Sequence, residues 1–259
     1  MENELFLERL RWPDVQAALE RGMTTVVFAC GAVEQHGPHL PLFMDAEHGT
    51  RLALEVARRL GNALVAPTIR VGCSEHHMAF PGTVSIQPAT LEALCRDYCT
   101  SLARHGFRRI LIIPSHGGNF APIDGMLERL RDAVAPAATV ESYTDLVTFI
   151  GVLRQATEQV SGLGARVLGH ADIAESSIML TLWPELVKVD AAEAGLMAEL
   201  TPELMRRVFR DGFRAVTPNG ILGDARGMSA AIGERCVAAL ADVLAARFAT
   251  VAEAPVAAS

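Results

Sequence analysis

The sequence predicts an α/β fold built on a mainly parallel sheet with helices on both faces. Three observations carry this. Over the first 145 residues, short apolar runs alternate with longer amphipathic stretches, the order that right-handed βαβ crossovers produce. The apolar runs are continuous, as in TTVVFAC (24–30) and RILIIP (109–114), which suits strands covered on both faces. Residues able to do chemistry follow directly after those runs, at the edge where open parallel sheets place their sites.

In chain order, Trp12-Pro13-Asp14 followed by VQAALERG reads as a short entry helix with Asp14 near its start and Gly22 at its stop. The first strand, Thr24–Cys30, breaks at Gly31. Glu34 and His36 follow at i and i+2, which places both on one side of an extended backbone. Pro38 and Pro41 stiffen the loop, and Asp45 closes it. Leu52, Leu54, Val56, Ala57 and Leu60 give 46–60 a helical stripe that ends at Gly61-Asn62. A second strand is expected over 63–69, then an irregular loop, VGCSEHHMAFPG (71–82), then a helix over 91–105. The third strand, 109–114, runs straight into Ser115-His116-Gly117-Gly118-Asn119. A helix over 122–134 leads to a fourth strand, 138–143. Residues 160–169 read as loop. A helix opens at HADIAE (170–175) and stops at Trp183-Pro184. Residues 191–210 are polar and helical in pattern, 216–227 are rich in turn residues, and 229–249 form an Ala-rich helix. The end, VAEAPVAAS, reads as a loose tail. With no repeat and no linker, residues 1–259 are expected to form one domain.

Half of the 259 residues are hydrophobic, enough for a sizeable core. A net charge of −7, 5% aromatics and the lack of a Lys/Arg cluster argue against nucleic acid. With Glu2, Glu4, Glu8 and Arg9 near the start no signal peptide is expected, and no uncharged stretch reaches membrane length. The five cysteines include no CxxC pair. They read as reduced thiols of a cytoplasmic protein.

Glu34, His36, Asp45, His116, His170 and Glu175 would converge on one edge of the sheet. Carboxylates and imidazoles in that mixture suit one or two borderline divalent metals, and the chemistry they offer is metal-assisted hydrolysis. Each has a plainer alternative: Asp45 as a helix cap, His116 as a turn histidine, Glu175 as an acid at a helix start. His76 and His77 sit in the polar loop and could contact substrate. No GxSxG elbow, phosphate-binding glycine motif or paired nucleophilic Cys competes with this reading.

The run GAVEQHGPHLPLFMD, the loop HMAFPGT, the turn SHGGN, the segment GHADIAESSIML and the late NGILGDARG together resemble the creatininase family of amidohydrolases, from about Thr24 to Gly233. The resemblance implies a three-layer α/β/α fold, a homohexamer and a binuclear metal centre. Glu34, His36, Asp45 and His116 match its metal ligands, with Asp45 bridging. Glu175 matches a further acidic ligand, and His170, acting with it, the catalytic acid/base. The implied ions are two per chain, zinc first, with manganese or iron(II) as alternatives, and a hydroxide between them would attack a C–N amide bond.

Two departures turn the expected substrate away from creatinine. Creatinine hydrolases carry a bulky residue and a metal-binding Glu after the histidine matching His116, where this chain has Gly117 and Gly118. They also carry a substrate-shaping Trp shortly before the position of His170, where this chain reads ARVLG. The glycine pair is expected to open the pocket to another small amide, cyclic or formamide. Hydrolysis of a lactone or oxidised sugar, trimming of a precursor peptide, and a non-catalytic metal-binding module are the alternatives.

Overall fold

A computed structural model describes residues 4–199 and 201–252; most of the expected tail, 253–259, lies outside them. The central sheet has four strands, β1 (Thr25–Cys30), β2 (Ala63–Val65), β3 (Arg109–Pro114) and β4 (Thr139–Ser142), in the order β2-β1-β3-β4. All three neighbouring pairs are parallel, and Cys30 pairs with Pro114, so β1 and β3 release the chain side by side. The second strand is shorter than its apolar run because Pro67 has no N–H to donate. The ladder resumes only at an isolated Cys30–Ile69 bridge.

Eight α-helices complete the described residues: α1 (Trp12–Glu20), α2 (Met44–Leu60), α3 (Pro88–Arg104), α4 (Gly117–Val134), α5 (Leu146–Ser161), α6 (Ile173–Leu182), α7 (Pro202–Asp211) and α8 (Ala230–Ala252). The side-chain alternation of the strands sorts them into two layers. Val27, Leu111 and Ile113 face the core shared with α2, α5, α6 and α8. Val26, Phe28, Ile110 and Ile112 face the core shared with α1, α3 and α4. The fold is thus the three-layer α/β/α arrangement. Among the described residues no helix is long and apolar enough to cross a membrane.

Besides the shortened β2 and the helix α5, which the sequence pattern did not indicate, three local outcomes differ from it. First, α4 begins at Gly117 with His116 as its N-cap residue, so SHGGN is a helix start, and Pro122 lies inside the helix. Second, residues 160–169 are not all loop. β5 (Val167–His170) pairs antiparallel with the two-residue β6 (Leu222–Gly223) in a separate small sheet. Third, only the later part of 191–210 is helical. Ala194 and Leu196 instead bridge to Asp224 and Leu222, an approach that requires Gly195, whose added Cβ would stand 2.0 Å from the Ile221 oxygen.

Gly31 shows how the layers fix the loops. A Cβ there would lie 2.6 Å from Ala46 Cα and 2.7 Å from its nitrogen, both backbone atoms of α2. The bare glycine lets the first turn of α2, which carries Asp45, seat against the exit of β1. Gly31→Ala is therefore expected to lower unfolding stability by about 1–3 kcal/mol. Gly125→Ala, in mid-α4 with nothing within 4 Å of the new methyl, is expected to raise it by about 0.5–1 kcal/mol. Urea denaturation of the two variants and the parent tests both signs.

Candidate metal centre

Six residues named from the sequence meet at the carboxyl edge of the sheet. The loop after β1 brings Glu34 and His36. The first turn of α2 brings Asp45, the N-cap of α4 His116, the end of β5 His170 and the first turn of α6 Glu175. All are buried, none more than 8% exposed. Three helix N-termini point their positive ends at this carboxylate-rich cluster.

Asp45 lies between two imidazoles. Its Oδ1 is 3.4 Å from His36 Nε2, and its Oδ2 is 3.0 Å from His116 Nδ1. Glu34 Oε1 is 3.6 Å from each of the same two nitrogens. Glu175 Oε2 is 3.7 Å from His36 Nε2, and His170 Nδ1 is 3.7 Å from Glu34 Oε1. Both Glu34 oxygens, His36 Nε2 and Asp45 Oδ2 are buried and make no well-aligned hydrogen bond despite these close approaches, an arrangement that costs free energy unless a cation or proton compensates it. Ligand atoms about 2.0–2.1 Å from a tetrahedral ion stand about 3.3 Å from each other. The spacings here fall around that edge length. The sets Glu34/His36/Asp45 and His36/His170/Glu175 could each hold a metal ion, and so could Glu34/His77/His170.

Burial opposes charge on His36 and His116, but the carboxylates around them raise both imidazoles above their ordinary value. Burial, together with Asp45 nearby, pushes the Glu34 carboxyl up to about 8. Burial likewise raises Glu175 well above the ordinary carboxylate range. Asp45 goes the other way: burial opposes ionisation, but His36 and His116 overcome it and hold the carboxyl well below its usual value. The protein alone thus stabilises one of the three carboxylates as an anion and resists charging the other two.

His170 is lowered well below the ordinary imidazole range by burial and by His36 and His77, which favours its neutral form. Its Nε2 is 3.0 Å from the Gln35 carbonyl oxygen and 2.9 Å from the Gln35 side-chain nitrogen. The same amide nitrogen donates to Gly220 O at 3.1 Å and lies 3.1 Å from His77 Nδ1. Gln35, only 4% exposed, thereby joins three segments around the site.

His77 had only its place in the polar loop to recommend it. The structure puts its Nδ1 2.9 Å from Glu34 Oε2 and its ring against Phe213, with centroids 4.1 Å apart. His76 stacks on His116 at 5.6 Å. The glycine pair behaves unevenly. Nothing lies within 4 Å of a Cβ on Gly117, whereas a Cβ on Gly118 would meet Cys73 O at 2.2 Å and His76 at 2.7 Å. Gly117 leaves open space; Gly118 admits the turn that carries His76 and His77. Of the other histidines, His39 bonds Ser176 Oγ at 2.7 Å, His48 is buried beside Phe149, and His105 follows the last turn of α3.

Asp172 supports the far side. Its Oδ2 accepts from Leu168 N and Gly169 N at 2.8 and 2.7 Å, and its Oδ1 accepts from Ala174 N at 2.9 Å. Ala171, at φ 51°, turns the chain sharply between β5 and α6, a conformation that costs a residue with a Cβ roughly 1–2 kcal/mol. Its N–H donates to Glu175 Oε2 at 2.5 Å. This turn lets His170 and Glu175 face one cluster.

A family model described as "Creatininase: Creatinine amidohydrolase" matches residues 8–248. Creatinine amidohydrolase of Pseudomonas putida is 33% identical over 201 residues, covering 73% of this chain and 76% of that protein. Mycofactocin precursor peptide peptidase of Mycolicibacterium smegmatis is 35% identical over 221 residues, covering 82% and 79%. Among solved structures, a mutant creatininase of Zn-Zn type superposes with a TM-score of 0.77 at 29% identity, covering 97% of this chain and all of that one. A structure titled "Creatininase Mn" gives the same TM-score and coverage.

Asp172→Ala is expected to strand four N–H groups, those of Leu168, Gly169, Ala174 and Glu175, and uncap α6, lowering stability by about 2–4 kcal/mol. Denaturant unfolding measures it; a loss under about 0.5 kcal/mol would contradict the support assigned to Asp172.

Proposed function

Because the chain belongs to the creatininase family, whose members are hydrolases, we propose that it cleaves the C–N bond of an amide other than creatinine, at a centre of two divalent metal ions. Glu34, His36, Asp45, His116 and Glu175 would hold the ions, with zinc first and manganese or iron(II) as alternatives. The observation that carries this reading is the Asp45 carboxylate, which presents one oxygen to His36 and the other to His116 and so suits a bridge between two ions. The buried, unpartnered atoms of Glu34, His36 and Asp45 support it from the energetic side. The metals named for similar structures, Zn-Zn and Mn, support the class of ion.

Bound divalent ions supply an activated water and a polarised carbonyl. The chain's own residues do the rest. Glu34 and Asp45 set the spacing of the two positions. His170, held at Nε2 by Gln35, turns Nδ1 toward the cluster and is placed to move a proton there to the leaving nitrogen. Phe213 packs 4.6 Å from His170 and 4.1 Å from His77, which limits water at that wall. Homohexameric assembly and a cytoplasmic location belong to the same proposal, and light scattering reads the first.

Elemental analysis of purified protein is expected to find two divalent ions per chain, with His116→Ala losing at least one and Asp45→Ala both. An Asp45→Ala protein that keeps two ions would rule out the bridge. His170→Gln is expected to keep both ions while kcat on an amide found by a panel of cyclic amides, formamides and peptides falls about 10²–10⁴-fold. Chelator treatment should lower the melting temperature, because it returns the buried carboxylates to an uncompensated state. A chelator-insensitive melting curve for a protein shown to have lost its metal would count against this placement.

A further inference from the structure

Two cavities meet at the wall of the candidate centre. The inner one holds about 50 Å³ over Asp45, His116, His170 and Glu175. That admits a few water molecules or one small functional group. The outer one is an open groove of about 1170 Å³ along α5. Leu146, Ile150, Leu168 and Met205 line both, so the groove and the chamber adjoin across these four apolar side chains.

The groove is apolar where it is free. Val147 and Met197 on its wall are 83% and 51% exposed. The charged groups there are largely engaged: Arg154 donates to Val167 O at 3.0 and 3.2 Å, and Glu158 accepts from Gly164 N at 2.8 Å. Glu199 is the remaining one. Nothing here resembles a cradle for a phosphate or a carboxylate-bearing ligand.

We propose that the substrate is an amide carrying a long, uncharged apolar chain: the scissile group enters the inner chamber and the chain lies in the groove against Leu146, Val147, Ile150 and Met197. This rests on the hydrolase reading above and adds the substrate class. The small chamber excludes the bulk of any sizeable substrate, and the adjoining groove is where a chain passing between the shared apolar side chains would lie.

The test is calorimetric binding of hydroxamates, which chelate metal through a small head group, to the zinc-loaded protein, from acetohydroxamate to decanohydroxamate. Each added methylene is expected to tighten binding about threefold to fourfold until the groove is filled. The double variant Val147→Glu, Met197→Glu, at two exposed positions of the groove, should flatten that dependence, weakening decanohydroxamate far more than acetohydroxamate. A leucine-oligomer hydroxamate series separates a peptidyl chain from an alkyl one, and tightening in either series supports the proposal. Equal affinity across both series, with acetohydroxamate binding intact, would overturn it, keep the metal centre, and leave the groove as a face between copies of the chain. Absence of binding by every hydroxamate, in protein measured to contain two zinc ions, would overturn both readings.

Discussion

The constraint on which this structure turns is the burial of three carboxylates beside one another. Glu34, Asp45 and Glu175 are 0%, 2% and 8% exposed, and the protein alone readily ionises just one of them. An isolated ionised carboxyl moved out of water costs several kcal/mol even after relaxation. A fold does not gather three by packing preference. The cations at hand, His36 and His116, face Asp45 and leave both Glu34 oxygens without a hydrogen bond. Positive charge from outside the chain completes the balance most simply, which is why the metal reading rests on energetics as well as on residue types.

The surrounding structure holds that arrangement in place. Asn119, fully buried, donates to Cys30 O and Gly31 O and accepts from Cys73 N, tying the exit of β1 to the turn before His76. Ser115 Oγ donates to Asp45 O at 2.8 Å, linking the end of β3 to the start of α2. Asp172 and Gln35 do the same for His170. These clamps are short-range and polar, and they connect segments that are distant in sequence. A metal site needs such orientation of its ligands by neighbouring groups, and here nearly every clamp ends on a backbone atom, which a change of neighbouring side chain does not remove.

This explains what could be read from the sequence and what could not. The strands after which Glu34 and His116 appear are unbroken apolar runs, so β1 and β3 emerge within a residue of their expected limits. All six site residues follow a strand or open a helix, where local pattern is informative. Gln35 and His77 offer no such signal, because their roles depend on loops that meet only in three dimensions. The helix α5 was not anticipated either. Val147, Thr148, Ile150 and Val152 are β-branched and Gly151 interrupts them, so propensity spoke against a helix that packing on α8 and β5 nevertheless stabilises. For residues 191–210 the pattern suggested helix throughout, and the close approach of Gly195 to Ile221 drew the first part into bridges instead.

The glycine pair after His116 shapes the wall of the candidate centre. A side chain at Gly118 would collide with Cys73 O, a backbone atom that cannot swing aside as a flexible side chain would. Any acid at that position would therefore have to displace the whole turn carrying His76 and His77. As built, that turn fills the space, sets His77 2.9 Å from Glu34 and leaves Gly117 facing open space. Burial holds His77 well below the ordinary imidazole range, so it adds no positive charge. A wall of neutral imidazole and phenyl rings beside the carboxylate cluster suits a substrate whose polarity is confined to its reacting group.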